Sequence, residues 1–559
     1  MTAEFGGTHA LRRRFDSDKL VALGFATAMA LPLIVFVLVP LWSILNRSFL
    51  TPDGFGLGNY GRYFTDARFV GIIWNSLAVS TTATVITIVL AYVFAYGLHR
   101  SALPFKSGFR LFAMVPLFAP SLVQALGILF LLGRNGVVNR SFDLGLEIYG
   151  FWGIVVADVL YSFPHALLIL SAALAVADAR LYESARMLGA SNPRIFRTVT
   201  LPSTKYGLMS ATFVVFTIVM TDFGNPMVIG GDFDVLATEI YNQVSGQANF
   251  EMGAVVGVIL LVPAAIAVAV ERWVTSRQYS LVSAQSQPLQ VRPNRRFDTI
   301  MLIYVSVVSL CILAVIGIVF FASFVTLWPW NMSFSFKHYY FDVQNGIQPL
   351  WTSIWVALLA AVIGTVFTVG GAFVIEKFRN PLTRGLYFLS ILPAAVPGMV
   401  LGLGYILAFN DPANPLYFIY GTIAILALCN VYHYHAQGFL IATTSVKQIS
   451  TTFDEASKCL GAGLLRTMAK ITLPIIWPSI ISIAVFFFMR SMVTLSAVIF
   501  LTTPKTQLAA VSVLLLDDSG NYSQAAAFSV CIMAVVVAAI VLLHVILRLF
   551  GNRDTEIIR

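Results

Sequence analysis

The stretch ESARMLGASNPRIFRTVTLP, Glu183 to Pro202, is a charged interval in a mostly apolar chain, and EASKCLGAGLLRTMAKITLP, Glu455 to Pro474, restates it 272 positions later. In both copies a Gly follows the Glu by six positions, a β-branched residue (Val199 or Ile471) follows the Gly by ten, and Leu-Pro closes the interval. The chain around them has 559 residues, 58% hydrophobic and 11% charged, with a mean hydropathy of +0.83. A soluble globular chain carries about 25% charged residues. Apolar runs of roughly 20 residues recur, each long enough to cross a hydrocarbon core of about 30 Å. Backbone polar groups in lipid must pair within the protein, so the spans are expected to be helices.

Twelve spans are expected, near residues 20–45, 73–98, 110–133, 151–177, 205–224 and 252–271, then 299–327, 351–376, 385–409, 419–446, 478–502 and 525–548. With the N-terminus inside, about 27 Lys and Arg fall on cytoplasmic segments and about 7 on external ones, the bias of a correctly oriented chain. The net charge of +9 is thereby absorbed by membrane orientation and does not argue for nucleic acid. Arg12, Arg13 and Arg14 precede an apolar run from Leu20 that is too long for a signal peptide, so it reads as an uncleaved first span. Cys311, Cys429, Cys459 and Cys531 show no metal or redox spacing and read as packing residues.

Internal repetition organises the rest. Trp74 and Trp351 each open a span, and Pro116 and Pro120 answer Pro393 and Pro397, all 277 positions apart. Six spans per half is an even number, so the halves share one orientation across the membrane. The expected organisation is a first repeat over 1–276, a polar cytoplasmic linker over 277–298 and a second repeat over 299–559. Both charged intervals then face the cytoplasm. Each reads as two short helices broken at Gly189 or Gly461, where positive φ carries no Cβ strain. In the first copy Ser191 is placed to cap the second helix, with Pro193 in its first turn. Pro202 and Pro474 are expected to interrupt the chain before the next span. A surface helix alone gives no reason for the same spacing twice, whereas docking into a partner protein does.

The two intervals resemble the EAA motif of ATP-binding-cassette importer permeases. Glu183, Ser184, Ala185, Gly189, Leu201 and Pro202 match it, as do Glu455, Ala456, Ser457, Gly461, Leu473 and Pro474, with one alanine replaced by serine in each copy. The whole arrangement is similar to the fused permeases of the ferric-iron, thiamine and phosphonate importer group. The resemblance implies an all-helical type I permease in the bacterial inner membrane with both termini cytoplasmic. It also implies two ATPase subunits docked on these loops and a periplasmic binding protein that delivers the solute. The coupling residues would be Glu183, Ala185, Gly189, Leu201, Pro202, Glu455, Ala456, Gly461, Leu473 and Pro474.

The chain contains no Gly-Lys dipeptide, hence no phosphate-cradling GxxxxGK[ST] loop, and no enzyme motif on an aqueous segment. It is expected to bind no cofactor, with ATP used by partner subunits. The rival reading is a secondary transporter, also built from parallel halves, which has no need of twin docking loops. A neighbouring gene for a Walker-type ATPase separates the two. The cargo suggested by the resemblance is ferric iron or an aminoethylphosphonate, the latter on the wording VLATEIYNQVSGQANFEMGAV from Val235.

Several polar residues fall inside spans. Asp158 and His165 in the fourth, Asn430, His433 and His435 in the tenth, and Arg490 in the eleventh are candidates for a translocation path, because ionisable groups in lipid point into a bundle or cavity. The alternative for each is hydrogen bonding between helices, with Arg490 against a carbonyl or acid. His433 and His435 are two apart, do not share a helix face, and are not expected to hold a metal. The external stretch from Thr221 to Gly253 carries Asp222, Asp232, Asp234, Glu239 and Glu251 with no Lys or Arg. It reads as a helical loop for a binding protein rather than an ion-attracting vestibule.

Overall fold

The computed structural model describes residues 23–143, 145–278, 291, 293–341, 346–378 and 381–549. The N-terminal arginines and most of the 277–298 linker lie outside the described residues. Among the described residues, ten helices are long and apolar enough to cross a membrane, and an eleventh is the pair Pro381–Ala395 and Gly398–Phe409, bent by 110°. The remaining member of the expected twelve is the 25-residue helix Ile423–Lys447. Its Asn430, His433, His435 and Gln437 make it less apolar than its repeat counterpart Phe151–Ala175.

The prolines recognised in the sequence mark the bent pair. In each half the third span breaks around its two prolines, through the 3₁₀ turn Val115–Phe118 in the first and Leu392–Ala395 in the second. Proline lacks an N–H, and the tighter turn accommodates the missing donor.

The chain forms two compact units, and each draws on both repeats. One contains residues 47–348 and 509–534. Its helix Arg295–Ser323, the first span of the second repeat, packs against Ala67–Arg100 and Leu122–Leu132 of the first. Tyr304 Oη donates to the Leu90 carbonyl at 2.8 Å, and a Cβ on Gly127 would lie 2.3 Å from the Val315 carbonyl oxygen. The other unit contains 23–46, 349–508 and 535–549. There the first span of the whole chain packs on second-repeat helices: Phe36 stacks on Tyr432 at 5.3 Å, and a Cβ on Gly404 would lie 2.8 Å from the Pro40 carbonyl oxygen. Gly127 and Gly404 are repeat-equivalent, so the same close approach is built twice. In lipid, helices associate by van der Waals packing, and small residues let backbones meet.

Two boundaries differ from the sequence reading. The eleventh span ends at Val493, well before residue 502, and the chain beyond turns until the helix Ala509–Asp518. Pro202 and Pro474 do not interrupt the chain. A π-helical passage, Phe196–Thr200 or Met468–Thr472, leads directly into the span, giving continuous helices Asn192–Met220 and Leu464–Val493. In each passage the N–H before the proline (Leu201 or Leu473) bonds five residues back, to Phe196 or Met468. The ladder thus shifts by one residue where proline would have left a carbonyl unpaired.

Candidate functional site

The first charged interval begins with the helix Ala179–Met187, capped by the Asp178 carboxylate, which accepts from the Arg180 N–H at 3.0 Å. The helix closes in a Schellman turn. Ala190 N–H donates to the Ala185 carbonyl at 3.0 Å and Gly189 N–H to the Arg186 carbonyl at 2.9 Å, with Gly189 at φ +73°. The second interval repeats this with helix Thr451–Cys459, Gly461 at φ +70° and Ala462 N–H on the Ser457 carbonyl at 3.0 Å. Both glycines therefore occupy the positive-φ position expected from spacing.

The expected hydroxyl cap is absent. Ser191 stands at the N-cap of Asn192–Ile195, but its side chain makes no capping bond, so the second helix starts as it does from Gly463 in the other copy. The two helices of each interval are held together differently. In the first, Tyr182 and Ile195 are buried with Ala177, and Ala185, Ala190 and Val199 pack on them. In the second, the equivalents of Ala185 and Ile195 are Ser457 and Thr467, whose hydroxyls bond at 2.5 Å.

Glu183, Glu455, Ala456, Leu201, Pro202 and Pro474 are exposed, whereas Ala185 and Leu473 are half-buried. The sequence reading missed the tip of each turn. Leu188 and Leu460, the residues just before the glycines, are both 87% exposed, beside Met187 at 90%. Their signal was an apolar residue held at the turn in both copies. Of the cysteines, Cys429 is buried and its Sγ approaches the Ala497 carbonyl at 3.3 Å, but Cys311 and Cys459 are exposed and do not pack in a core.

The intramembrane polar residues divide between the units. In the larger unit Asp158 is fully buried, and its Oδ1 accepts from Asn225 Nδ2 at 2.9 Å. Asn225 also donates its backbone N–H to Asp222 Oδ2 at 2.9 Å and accepts from the Ala125 N–H at 3.2 Å. Asn225 thereby joins three helical elements. The sequence reading missed it, although Asn-Pro within an apolar run was its signal. His165 lies edge-on to Tyr161.

In the smaller unit Asn430 Nδ2 donates to Ser491 Oγ at 2.6 Å. Arg490 lies over the Tyr434 ring at 5.7 Å, a cation–π contact. His435 stacks between Tyr432 and Phe439, while His433 faces Tyr434, so the two histidines point to different neighbours. Among the described residues no group of three or more His, Cys, Asp or Glu side chains is placed to hold a metal ion.

The acidic stretch from Thr221 to Gly253 is helical in part, through Leu236–Tyr241. Its charges are matched from elsewhere in the larger unit. Arg68 reaches Asp234 at 3.3 Å and the fully buried Glu239 at 3.5 Å, and Arg47 reaches Glu251 at 2.8 Å. Burial holds the Glu239 carboxyl above its ordinary value, against the lowering effects of Gln243 and Arg68. Asp222 is buried with Asn225, and Asp232 is exposed.

Comparison with known proteins finds one family match, described as "Binding-protein-dependent transport system inner membrane component", twice in the chain, over residues 88–278 and 368–553. The chain is 29% identical over 548 residues to a ferric transport system permease protein FbpB of Actinobacillus pleuropneumoniae, covering 95% of this chain and 78% of that protein. It is 31% identical over 511 residues to a putative ferric transport system permease protein FbpB 1 of Haemophilus influenzae, covering 88% and 79%. A probable ABC transporter permease of Sinorhizobium fredii, y4fN, is 24% identical over 485 residues, covering 82% and 84%.

Proposed function

The chain belongs to the family of binding-protein-dependent transport system inner membrane components, in fused form with two copies of the family segment, and from that premise we propose the cargo, partners and working parts of this importer permease. The cargo is ferric iron, delivered by a periplasmic binding protein; the two FbpB relatives, which cover 95% and 88% of the chain, carry ferric transport in their names. Two ATPase subunits drive the cycle, one on each charged interval. The observation that carries this reading is the duplicate geometry of the loops: a Schellman turn at a positive-φ glycine, with a leucine 87% exposed at its tip, at repeat-equivalent places.

Mechanistically, each loop continues without a break into a membrane span through its π-helical passage. A push on Leu188 or Leu460 reaches Leu201–Met220 or Leu473–Val493 first through the turn at Gly189 or Gly461 and then along the helical backbone that starts at Asn192 or Leu464. Asp158, His165, Asn430, His433 and Arg490 are proposed as residues of the polar path that these spans open and close. ATP is hydrolysed on the partner subunits, and this chain supplies position and passage.

The test is ATP hydrolysis and uptake by the complex reconstituted with its ATPase and binding protein. Ferric iron on the binding protein should stimulate both, and aminoethylphosphonate should not. Stimulation by the phosphonate alone would reassign the cargo. Uptake driven by an ion gradient without ATP would favour a secondary transporter.

A further inference from the structure

Each docking loop is tied to the ends of the second and fourth spans of its own repeat by side chains outside the recognised motif. In the larger unit Arg100 ends the helix Ala67–Arg100, and its Nη2 donates to the Leu174 carbonyl at 2.9 Å and to Tyr182 Oη at 3.3 Å. Its guanidinium also lies 5.0 Å from the Tyr182 ring centroid, and Tyr182 Oη donates to Thr200 Oγ1 at 3.1 Å. Leu174 belongs to the end of the fourth span, Tyr182 to the docking helix, and Thr200 to the π-helical passage.

In the smaller unit the residue 277 positions on from Arg100 is Lys377, which ends Gln348–Lys377. The residue 272 positions on from Tyr182 is Asp454, and the Lys377 ammonium pairs with the Asp454 carboxylate. A second pair, Lys447 Nζ to Glu376 Oε1 at 3.3 Å, joins the ends of the fourth and second spans. The same three elements are therefore tied in both copies, by a basic residue at the same helix end acting on the residue just before the motif's glutamate.

We propose that Arg100 and Lys377 are positioning residues that hold the two docking loops to the transmembrane bundle, so that movement of a loop moves the second and fourth spans with it. The proposal rests on the coupling role assigned to the loops above. The chemistry of the two ties differs. The first is an aromatic and hydrogen-bonded seat around Tyr182. The second is ionic, with the Lys377 and Asp454 side chains only 14% and 19% exposed. A largely shielded pair left half-broken is more disruptive than a surface pair; salt screens it less than a surface pair but more than the hydrogen-bonded seat around Tyr182, whose contacts are not between two full charges. The second copy is thus the ionic-strength-sensitive one.

The experiment uses the complete complex in proteoliposomes, with ferric iron on the binding protein as probe. It reads iron transported per ATP hydrolysed, ATPase retained on purification, and permease in the membrane. Lys377→Met and the near-isosteric Asp454→Asn should each lower the transport-to-hydrolysis ratio roughly fivefold or more while permease and bound ATPase stay near wild type. Lys377→Arg should restore the ratio, and the exchange of Lys377→Asp with Asp454→Lys should recover part of it. High salt should lower the ratio in the wild type but add little in Lys377→Met.

A merely structural contact would lower protein abundance and leave the ratio per molecule unchanged. An unchanged ratio in both Lys377→Met and Asp454→Asn, with Gly461→Val uncoupled, would overturn the tie and leave the docking reading standing. Unchanged ratios and full ATPase recovery in Gly461→Val as well would remove the docking reading itself.

Discussion

Valine at position 189 isolates backbone strain from steric conflict, and position 461 carries the same strain. At Gly189 no atom lies within 4 Å of where a Cβ would sit, so space is not the obstacle. The obstacle is φ, +73° there and +70° at Gly461. An L-residue in the left-handed region costs about 1–2 kcal/mol, and a β-branched one is worst placed to bear it. If the turn relaxes out of positive φ, it loses the bonds Ala190 N–H to Ala185 and Gly189 N–H to Arg186. That is a loss of about 0.5–1.5 kcal/mol each. Strain alone reduces the docking-ready loop by roughly 5- to 30-fold per copy, and loss of both bonds by roughly 5- to 150-fold, since about 1.4 kcal/mol is a factor of ten. Acting on independent copies, the double variant should fall by roughly 10²-fold.

Asparagine tolerates the left-handed region, so Gly189→Asn and Gly461→Asn should remain close to wild type. Co-purification of the ATPase and cargo moved per ATP hydrolysed read the effect, with membrane insertion as the control. Glu183 and Glu455 substitutions should act in the same direction as valine. Full ATPase recovery and unchanged uptake in the double valine variant would refute the coupling assignment. Equal losses for valine and asparagine would refute the strain argument.

Arg490→Leu removes the cation over Tyr434, a contact of about 0.5–2 kcal/mol, and should lower uptake more than membrane abundance; equal falls in both would assign Arg490 to packing. Cysteines placed in the 277–296 linker should escape an impermeant reagent applied to intact cells, and labelling there would reverse the orientation. Burial, reinforced by Asp518, pushes the Asp517 carboxyl up to about 7. Its neutral form is favoured in the fold, so its stabilising contribution is full below the ordinary carboxylate value near 3.9 and is lost as pH rises through about 7. The melting temperature of the purified permease should therefore fall more steeply between pH 5 and 8 in the wild type than in Asp517→Asn, and identical slopes would reject the burial argument.

Features governed by local chemistry were legible in the residues. Span length follows from the reach of a helix across lipid, and the duplicated loops from their spacing. The left-handed turns follow because glycine alone occupies positive φ without strain, so Gly189 and Gly461 could be read directly. The prolines were read correctly as special positions, but a single proline does not say whether a helix breaks or absorbs it. At Pro116 and Pro393 a 3₁₀ turn lies within a broken span, while at Pro202 and Pro474 a π-helical shift keeps the helix continuous.

Partnership lay beyond the sequence. Nothing in an apolar run says which helix it will meet, because lipid-facing and protein-facing residues are alike in polarity and association depends on shape. That is why the first span of each repeat joins a unit with helices of the other, against the paired glycines Gly127 and Gly404. For the same reason the acidic stretch looked unbalanced until Arg47 and Arg68 came to it. Arg100 and Lys377 looked like ordinary positive helix ends until folding set them against Tyr182 and Asp454, about 80 residues away along the chain.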